Sequence, residues 1–124
     1  MNRISFSTMG KVWILDLDGT IVKHNGYKLD GFDTLLEGAK EFLDSINEKD
    51  LIIFITARTD EYQTITYQFL NQNNIRYHSV IFNAPYGERI LINDRKPLGL
   101  NTAIAINTER DKFMDTIFEI DPGL

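Results

Sequence analysis

Short apolar runs alternate with stretches of helical periodicity along the chain. Strand-like runs occupy residues 11–16, 51–55, 80–82, 90–92 and 103–106, and the first two are apolar almost throughout. Apolar residues at three- and four-residue spacing predict helices over residues 33–49 and 60–73, with a shorter helix over 110–118. This alternation predicts an α/β fold: a three-layer, Rossmann-like parallel sheet with helices on both faces.

A polar break separates the first strand from the first long helix. Asn25-Gly26 lies between the segments 21–24 and 27–29, and this dipeptide supplies the positive φ angles of a type I′ turn. We therefore expect a small β-hairpin flap that projects from the sheet. His24 would lie at its tip, overhanging the carboxyl end of the sheet, although an exposed polar role is commoner for such a residue.

The amino-acid composition excludes several classes of protein. A length of 124 residues with 43% hydrophobic and 25% charged residues predicts one soluble domain over residues 1–124. Zero cysteines exclude a disulfide scaffold, a thiolate zinc site and a cysteine nucleophile. The 13 basic and 18 acidic residues leave a formal charge of -5, which disfavours nucleic acid and anionic membranes as partners.

A membrane-spanning segment is not expected. The apolar runs 12–15 and 51–55 fall far short of the ~20 residues that span a bilayer. The first ten residues also lack the apolar core of a signal peptide, so a cytoplasmic location is the expectation.

The strongest chemical signal is the segment Asp16-Leu17-Asp18-Gly19-Thr20, directly after an apolar run. Two carboxylates at the end of a strand would leave the sheet where open α/β folds bind ligands. An ordinary Asp18-Gly19 hairpin turn is the alternative, but such a turn needs no acid at position 16. An EF-hand calcium loop is excluded, because it requires acids at every second position and a distal Glu.

This segment resembles the first motif of the haloacid dehalogenase (HAD) superfamily of phosphatases and phosphotransferases. The superfamily also has a Thr or Ser at the end of the next strand, and Thr56 follows the predicted strand 51–55. Its last motif is an acidic pair that ends a later strand, which Asn93-Asp94 resembles with Asn in the first place. The resemblance covers residues 11–94, with three motifs in order on three predicted strands.

The resemblance implies a mechanism of covalent phosphoryl transfer. Asp16 would be the nucleophile that attacks phosphorus to give an aspartyl-phosphate. Asp18 would protonate the leaving oxygen and then take a proton from the attacking water. Thr56 would bind the phosphoryl oxygens together with Gly19 and Thr20 of the first motif.

The resemblance also implies a magnesium ion. Its ligands would be the Asp16 carboxylate, the main-chain carbonyl of Asp18, and Asn93 or Asp94, with waters and the phosphate completing an octahedron. The metal matters because a carboxylate cannot approach a phosphate dianion without neutralisation.

The sequence departs from the family pattern at the positively charged residue that binds phosphate. Such enzymes use a Lys between the Thr strand and the acidic pair, and no Lys occurs from residue 51 to 94. Ala84 occupies the position where it is expected. Arg58 and Arg89 are the candidate replacements, and we favour Arg89 because it lies in the segment where the family's cation usually arises.

The intervals after the first two motifs hold too few residues for a cap domain, so an uncapped member is expected. An open site excludes water by forming a homo-oligomer or taking a large substrate, or it accepts a small substrate with modest specificity. The favoured function is a magnesium-dependent phosphatase acting on a small phosphorylated metabolite, with sugar phosphates ranked first. The alternative is a non-catalytic or regulatory HAD-like module that binds phosphate or metal.

Overall fold

The computed structural model describes residues 2–124. In chain order the elements are β1 (Arg3–Phe6), β2 (Val12–Asp16), α1 (Gly26–Leu29), α2 (Ala39–Ser45), β3 (Leu51–Ile55), a 3-10 turn (Asp60–Tyr62), α3 (Gln63–Gln72), β4 (Ser79–Ile81) and β5 (Ile117–Ile120). The chain divides into two compact units. We call Gly10–Pro85 with Thr108–Met114 the core unit, and residues 2–9 with Tyr86–Asn107 and Asp115–Leu124 the terminal unit. A single domain over the whole chain stays a prediction.

The core unit is built on a parallel three-stranded sheet in the order β2-β3-β4. Its register pairs Val12 with Leu51 and Ile53 with Ser79. The predicted strands 11–16, 51–55 and 80–82 are confirmed to within one residue at each end. Apolar residues, many of them β-branched, fill these strands, as expected for a parallel sheet. The parallel strands and connecting helices confirm the α/β class.

Helices α2 and α3 contribute to one hydrophobic core on the same face of this sheet. Leu43 of α2 and Leu70 of α3 join Ile52 and Phe54 of β3 in that core. Right-handed crossovers account for this, because β2, β3 and β4 follow one another in a single direction across the sheet. The predicted helix 60–73 is confirmed as the 3-10 turn followed by α3. No helix within residues 2–124 is long and apolar enough to cross a membrane.

The three layers expected from the sequence are not confirmed. On the opposite face of the sheet, four apolar side chains are about half exposed: Val12, Ile14, Leu51 and Ile81. A helix on this face would require the chain to return to the other side of β2. The predicted strands 90–92 and 103–106 are not strands in the described chain.

The expected hairpin flap is wrong. Gly26 begins helix α1, and Asn25 alone has a positive φ (55°), whereas a type I′ turn needs positive φ at both central residues. The returning segment lies further along the chain, where Val22 pairs antiparallel with Leu35. Extended backbone at Leu35 also shortens the predicted helix 33–49 to α2.

The terminal unit contains a parallel sheet of β1 and β5. Arg3 pairs with Ile117 and Phe6 with Ile120, and the rings of Phe6 and Phe118 stack with centroids 5.0 Å apart. Sequence reasoning missed both strands. The first is short and only half apolar, and the second overlaps the end of the predicted helix 110–118.

Three predictions towards the C-terminus are wrong. Residues 90–92 and 103–106 form no strand, and residues 110–118 contain a turn and the start of β5 instead of a helix. Ile90 and Ile92 are 83% and 90% exposed. A strand needs a partner for its N–H and C=O groups, and an apolar pattern does not supply one.

Asp50, directly before β3, is buried. Its carboxylate accepts the Lys11 N–H and the Trp13 Nε1–H, both at 3.0 Å. The acid therefore ties the start of β2 to the start of β3, where a buried carboxylate is stable because both of its oxygens are bonded.

Phe54→Ala should lower the free energy of unfolding by about 3 to 5 kcal/mol, the range for truncating a buried Phe. Leu51 lies on the open face of the same strand and is 43% exposed. Leu51→Ala should therefore cost only about 1 kcal/mol. Urea unfolding followed by circular dichroism checks both variants, and equal losses would mean that the two faces are equally well packed.

Candidate active site

The turn after β2 holds the acidic residues of the first motif. The Leu17 carbonyl accepts the N–H groups of Thr20, Ile21 and Val22 at 3.2, 2.9 and 3.1 Å. Gly19 has a φ of +82° and donates its N–H to the Val22 carbonyl at 2.7 Å. Leu17, Ile21 and Val22 are fully buried, so the apolar side chains of the turn fix its backbone in the core.

Asp16 and Thr20 are joined within this turn. The Thr20 hydroxyl donates to Asp16 Oδ2 at 3.0 Å, which orients the Asp16 carboxylate. The role of Asp16 as nucleophile stays a prediction. Gly19 and Thr20 were both expected to bind phosphate. In this structure the Gly19 N–H and the Thr20 hydroxyl have the protein partners just described, so their binding of phosphate stays a prediction.

Thr56 lies directly after β3 and is fully buried. Its N–H donates to the Ile81 carbonyl at 2.9 Å, and its carbonyl accepts the Ala84 N–H at 3.0 Å. Its Oγ1 accepts the Arg58 N–H at 3.1 Å. Ala84, at the position expected for the family's Lys, is therefore paired with the backbone of Thr56.

The Arg58 guanidinium is buried and uses all five of its N–H donors. Nε and Nη2 donate to the two carboxylate oxygens of Asp18, each at 3.0 Å. Nη1 and Nη2 donate to Asp33 at 3.1 and 2.7 Å, and Nη1 also donates to the Thr66 hydroxyl at 2.9 Å. No donor is left for a phosphate oxygen in this arrangement. Phosphate binding by Arg58, as expected from the sequence, would require Asp18 or Asp33 to release it.

A tyrosine ring lies against the guanidinium. Cζ of Arg58 is 4.0 Å from the centroid of the Tyr27 ring, which packs edge-on against Tyr62 with centroids 4.8 Å apart. Burial lowers the pKa of Arg58, but its hydrogen bonds to Asp18 and Asp33 outweigh burial and raise that pKa above its ordinary value. Arg58 is therefore a permanent cation. Burial, followed by the charge of Asp18, raises the pKa of Tyr27, which keeps the phenol neutral.

Three residues of this network were not identified from the sequence. Asp33 was placed at the start of a helix, Tyr27 in a hairpin, and Thr66 had no role assigned. One signal was present in Arg58 itself. An arginine three residues after the end of a buried strand needs carboxylate partners, and the acids of the first motif, which follow the neighbouring strand, are candidates. Nothing local points to Asp33 as the second partner.

A cleft of about 570 Å³ adjoins the network. Asp33 and Tyr27, which both contact Arg58, line one part of it. Its other walls are uncharged and include Phe32, Thr34, Ile65, Gln68 and Gln72. The volume lies within the range of small-molecule sites.

The remaining predicted site residues lie in the terminal unit. Asn93 and Asp94 are exposed and follow no strand, and Asn93 Oδ1 accepts the Asp94 N–H at 3.1 Å. Arg89 is also exposed and belongs to this unit. Within residues 2–124, no three His, Asp or Glu side chains form a group that could hold a metal ion. Metal binding by Asn93 or Asp94 and phosphate binding by Arg89 stay predictions.

Comparison with known proteins supports the fold class. No protein-family model matches the chain, and no curated protein matches it. A chain in the structure of a Pnkp1/Rnl/Hen1 complex is similar in fold, with a TM-score of 0.52 and 24% sequence identity. The similarity covers 67% of this chain and 31% of that chain. At this identity the likeness shows the α/β fold alone.

Asp33→Asn should lower the free energy of unfolding by about 3 kcal/mol, because it removes one charged partner of a buried ion pair. Asp30 is a matched control. It pairs with Lys23, but its side chain is 31% exposed, whereas that of Asp33 is 3% exposed. Asp30→Asn should therefore cost about 1 kcal/mol or less. Urea unfolding of both variants checks this, and equal losses would contradict the structural role of the Arg58 network.

Proposed function

We propose that this protein is a HAD-type phosphatase that hydrolyses a small phosphorylated metabolite through an aspartyl-phosphate on Asp16. The observation that carries the proposal is the placement of Asp16 at the end of β2, with Thr56 directly after the adjacent strand β3. Asp18 belongs to the same edge and is held there by Arg58. The carboxyl ends of adjacent parallel strands form the edge where open α/β folds bind ligands.

The chemistry follows from these three residues. An Asp16 carboxylate oxygen attacks phosphorus, the bond from phosphorus to the leaving oxygen breaks, and Asp18 gives that oxygen a proton. Water then attacks the same phosphorus, Asp18 takes a proton from the water, and the bond between Asp16 and phosphorus breaks to release inorganic phosphate. The Thr56 hydroxyl donates no hydrogen bond found within residues 2–124, so its proton is available for a phosphoryl oxygen.

Arg58 has a positioning role in this proposal. Both Asp18 oxygens accept hydrogen bonds from its guanidinium, so proton donation by Asp18 requires one oxygen to turn away. Asp33 permits this, because it keeps the guanidinium paired with a carboxylate throughout. Arg58 then sets the orientation of Asp18 and leaves the phosphoryl group to other residues.

Mg²⁺ is part of the proposal. The Asp16 carboxylate and the Asp18 carbonyl are oxygen donors, which suit Mg²⁺ better than a softer metal. Metal binding by Asn93 or Asp94 stays a prediction from the sequence. The Asp18 carbonyl accepts no backbone hydrogen bond found within residues 2–124, so it is free to serve as a ligand. When bound, the metal would offset the repulsion between the Asp16 carboxylate and the phosphate dianion.

The lining of the cleft beside Asp33 favours a substrate whose leaving group carries no charge. The amides of Gln68 and Gln72 suit hydroxyl groups, and the largely exposed ring of Phe32 suits the apolar face of a sugar ring. A sugar phosphate therefore ranks first among small phosphorylated metabolites.

A non-catalytic phosphate- or metal-binding module is the second candidate. Ala84 supplies no charge at the position of the family's Lys, and Arg58 has all its donors engaged by protein groups. These two observations favour a site without turnover, because neither position supplies a cation to the phosphoryl group. Hydrolysis of an aryl phosphate distinguishes the two candidates.

Asp16→Asn should abolish phosphatase activity, lowering kcat by at least roughly a thousandfold, because the amide is not a nucleophile. The near-identical shape should leave the circular dichroism spectrum unchanged. Asp44→Asn makes the same change on a side chain that is 58% exposed, and should retain wild-type activity. Turnover of p-nitrophenyl phosphate measures the effect. Activity of Asp16→Asn within a few-fold of wild type would rule out the covalent mechanism.

Mg²⁺ should raise the melting temperature by mass action on the folded state. At about ten times Kd the expected rise is roughly 4 to 7 °C. Asp94→Ala should reduce this rise if Asp94 is a ligand, whereas Asp115→Ala, another exposed acid of the terminal unit, should leave it unchanged. Thermal melts with and without Mg²⁺ measure the difference. An equal rise in wild type and Asp94→Ala would remove Asp94 from the metal site.

A further inference from the structure

A second loop of the core unit is anchored to the turn of the first motif. Thr108–Met114 belongs to the core unit, although the chain on both sides of it belongs to the terminal unit. The Asp111 N–H donates to the Gly19 carbonyl at 2.8 Å, and Asp111 Oδ1 accepts the His24 N–H at 2.6 Å. These two bonds fix the loop against the segment that carries the motif.

The backbone of this loop is held in an uncommon conformation. Asp111 has a φ of +63°, in the left-handed region that few residues other than glycine adopt. Such a conformation persists where the surrounding structure determines it, and it concentrates at functional sites. Here the hydrogen bonds of Asp111 to Gly19 and His24 hold the backbone in this conformation. Because Arg110 precedes Asp111, these bonds also place Arg110 beside Gly19.

The aliphatic part of Arg110 lies against Gly19. A Cβ built on Gly19 would be 3.2 Å from Cγ of Arg110 and 3.7 Å from Nδ1 of His24, so glycine permits this close approach. The guanidinium follows Cγ after one further methylene group. The length of the side chain therefore allows the guanidinium to reach the turn that bears Asp16 and Asp18.

The Arg110 guanidinium has no hydrogen-bond or ion-pair partner found within residues 2–124. The guanidinium groups of four other arginines are engaged, namely Arg3, Arg58, Arg76 and Arg95. Nδ1 of His24, which like Cγ of Arg110 lies within 4 Å of a Cβ built on Gly19, is buried and lacks a hydrogen-bond partner in the described chain. A cation and a buried ring nitrogen that both lack partners at one turn indicate a place for a polar ligand.

We propose that Arg110 and His24 form an anion subsite at the Gly19 turn, and that Arg110 replaces the family's Lys in binding the phosphoryl dianion. The inference rests on the proposed function, which locates the phosphoryl group at Asp16, and deepens it by naming the cation. Arg110 carries a permanent charge and can bond two phosphoryl oxygens at once. His24 supplies a single hydrogen-bonding atom at the same turn.

The test is direct binding of inorganic phosphate and of orthovanadate to the full chain, measured by titration calorimetry without Mg²⁺. Arg110→Ala should weaken binding by on the order of tenfold to a hundredfold, the range for losing a charged hydrogen bond. Lys112→Ala is the matched control, because it removes the same charge from an exposed position of the same loop. It should change affinity by less than about twofold, as exposed charges are screened. Arg110→Lys should retain part of the affinity.

Several outcomes would overturn the inference. They are equal affinity in wild type and a folded Arg110→Ala variant, an equal loss in Lys112→Ala, and no detectable phosphate or vanadate binding by the wild type. Other results would contradict only one of the two proposals, the anion subsite or the phosphatase activity. Arg110-dependent phosphate binding by a chain that hydrolyses no aryl phosphate would keep the subsite and discard the phosphatase. Normal hydrolysis by Arg110→Ala, with unchanged phosphate binding, would keep the phosphatase and discard the subsite.

Discussion

The core unit depends on keeping one buried cation neutralised. Removing the Arg58 guanidinium from water costs several kcal/mol, which only well-placed partners offset. Those partners come from separate parts of the chain: Asp18 from the motif turn, Asp33 from the segment before α2, and Thr66 from α3. The Arg58 network is therefore complete only when all of these segments have folded. The same bonds that neutralise the cation also determine where the Asp18 carboxylate lies, so stability and the geometry of the site have a common origin.

The order of the strands in the sheet explains why both helices of the core unit's hydrophobic core lie on one face. Because β2, β3 and β4 are consecutive neighbours, right-handed crossovers place α2 and α3 on one side. The core forms there, around Ile52 and Phe54. At the carboxyl edge of the same strands, Asp16 and Thr56 are brought next to each other without any contribution from a second helical layer. A small parallel sheet is thus sufficient to assemble the first two motifs.

Sequence reasoning succeeded where the signal is local. The runs 12–15 and 51–55 are apolar along their whole length, and α3 has a clear helical period, so their positions were predicted closely. It failed where the outcome depends on a distant partner. Asn25-Gly26 has the turn preference of a hairpin, but pairing of Val22 with Leu35 decides the local structure. The Asp33 contact with Arg58 joins residues 25 positions apart, and no periodicity marks such a pair.

The site shows the same distinction. Asp16 and Asp18 could be singled out because they directly follow an apolar run, and Thr56 because residues 11–94 resemble the HAD superfamily. The apolar segment 90–92 suggests a strand just as strongly, yet burial of its side chains would have required a neighbour that the pattern cannot specify. Arg110, whose Cγ lies close to Gly19, comes from a loop far along the chain, and no local pattern connects that loop to Gly19.

The left-handed backbone of Asp111 has a consequence for sequence variation. Glycine would adopt this conformation readily but would lose the carboxylate oxygen that accepts the His24 N–H. Alanine would lose that oxygen and strain the backbone as well. Asparagine tolerates a positive φ and keeps an acceptor at the same position. Across relatives that preserve this loop, position 111 should therefore vary between Asp and Asn far more freely than between Asp and Glu, whose longer side chain moves the acceptor out of register.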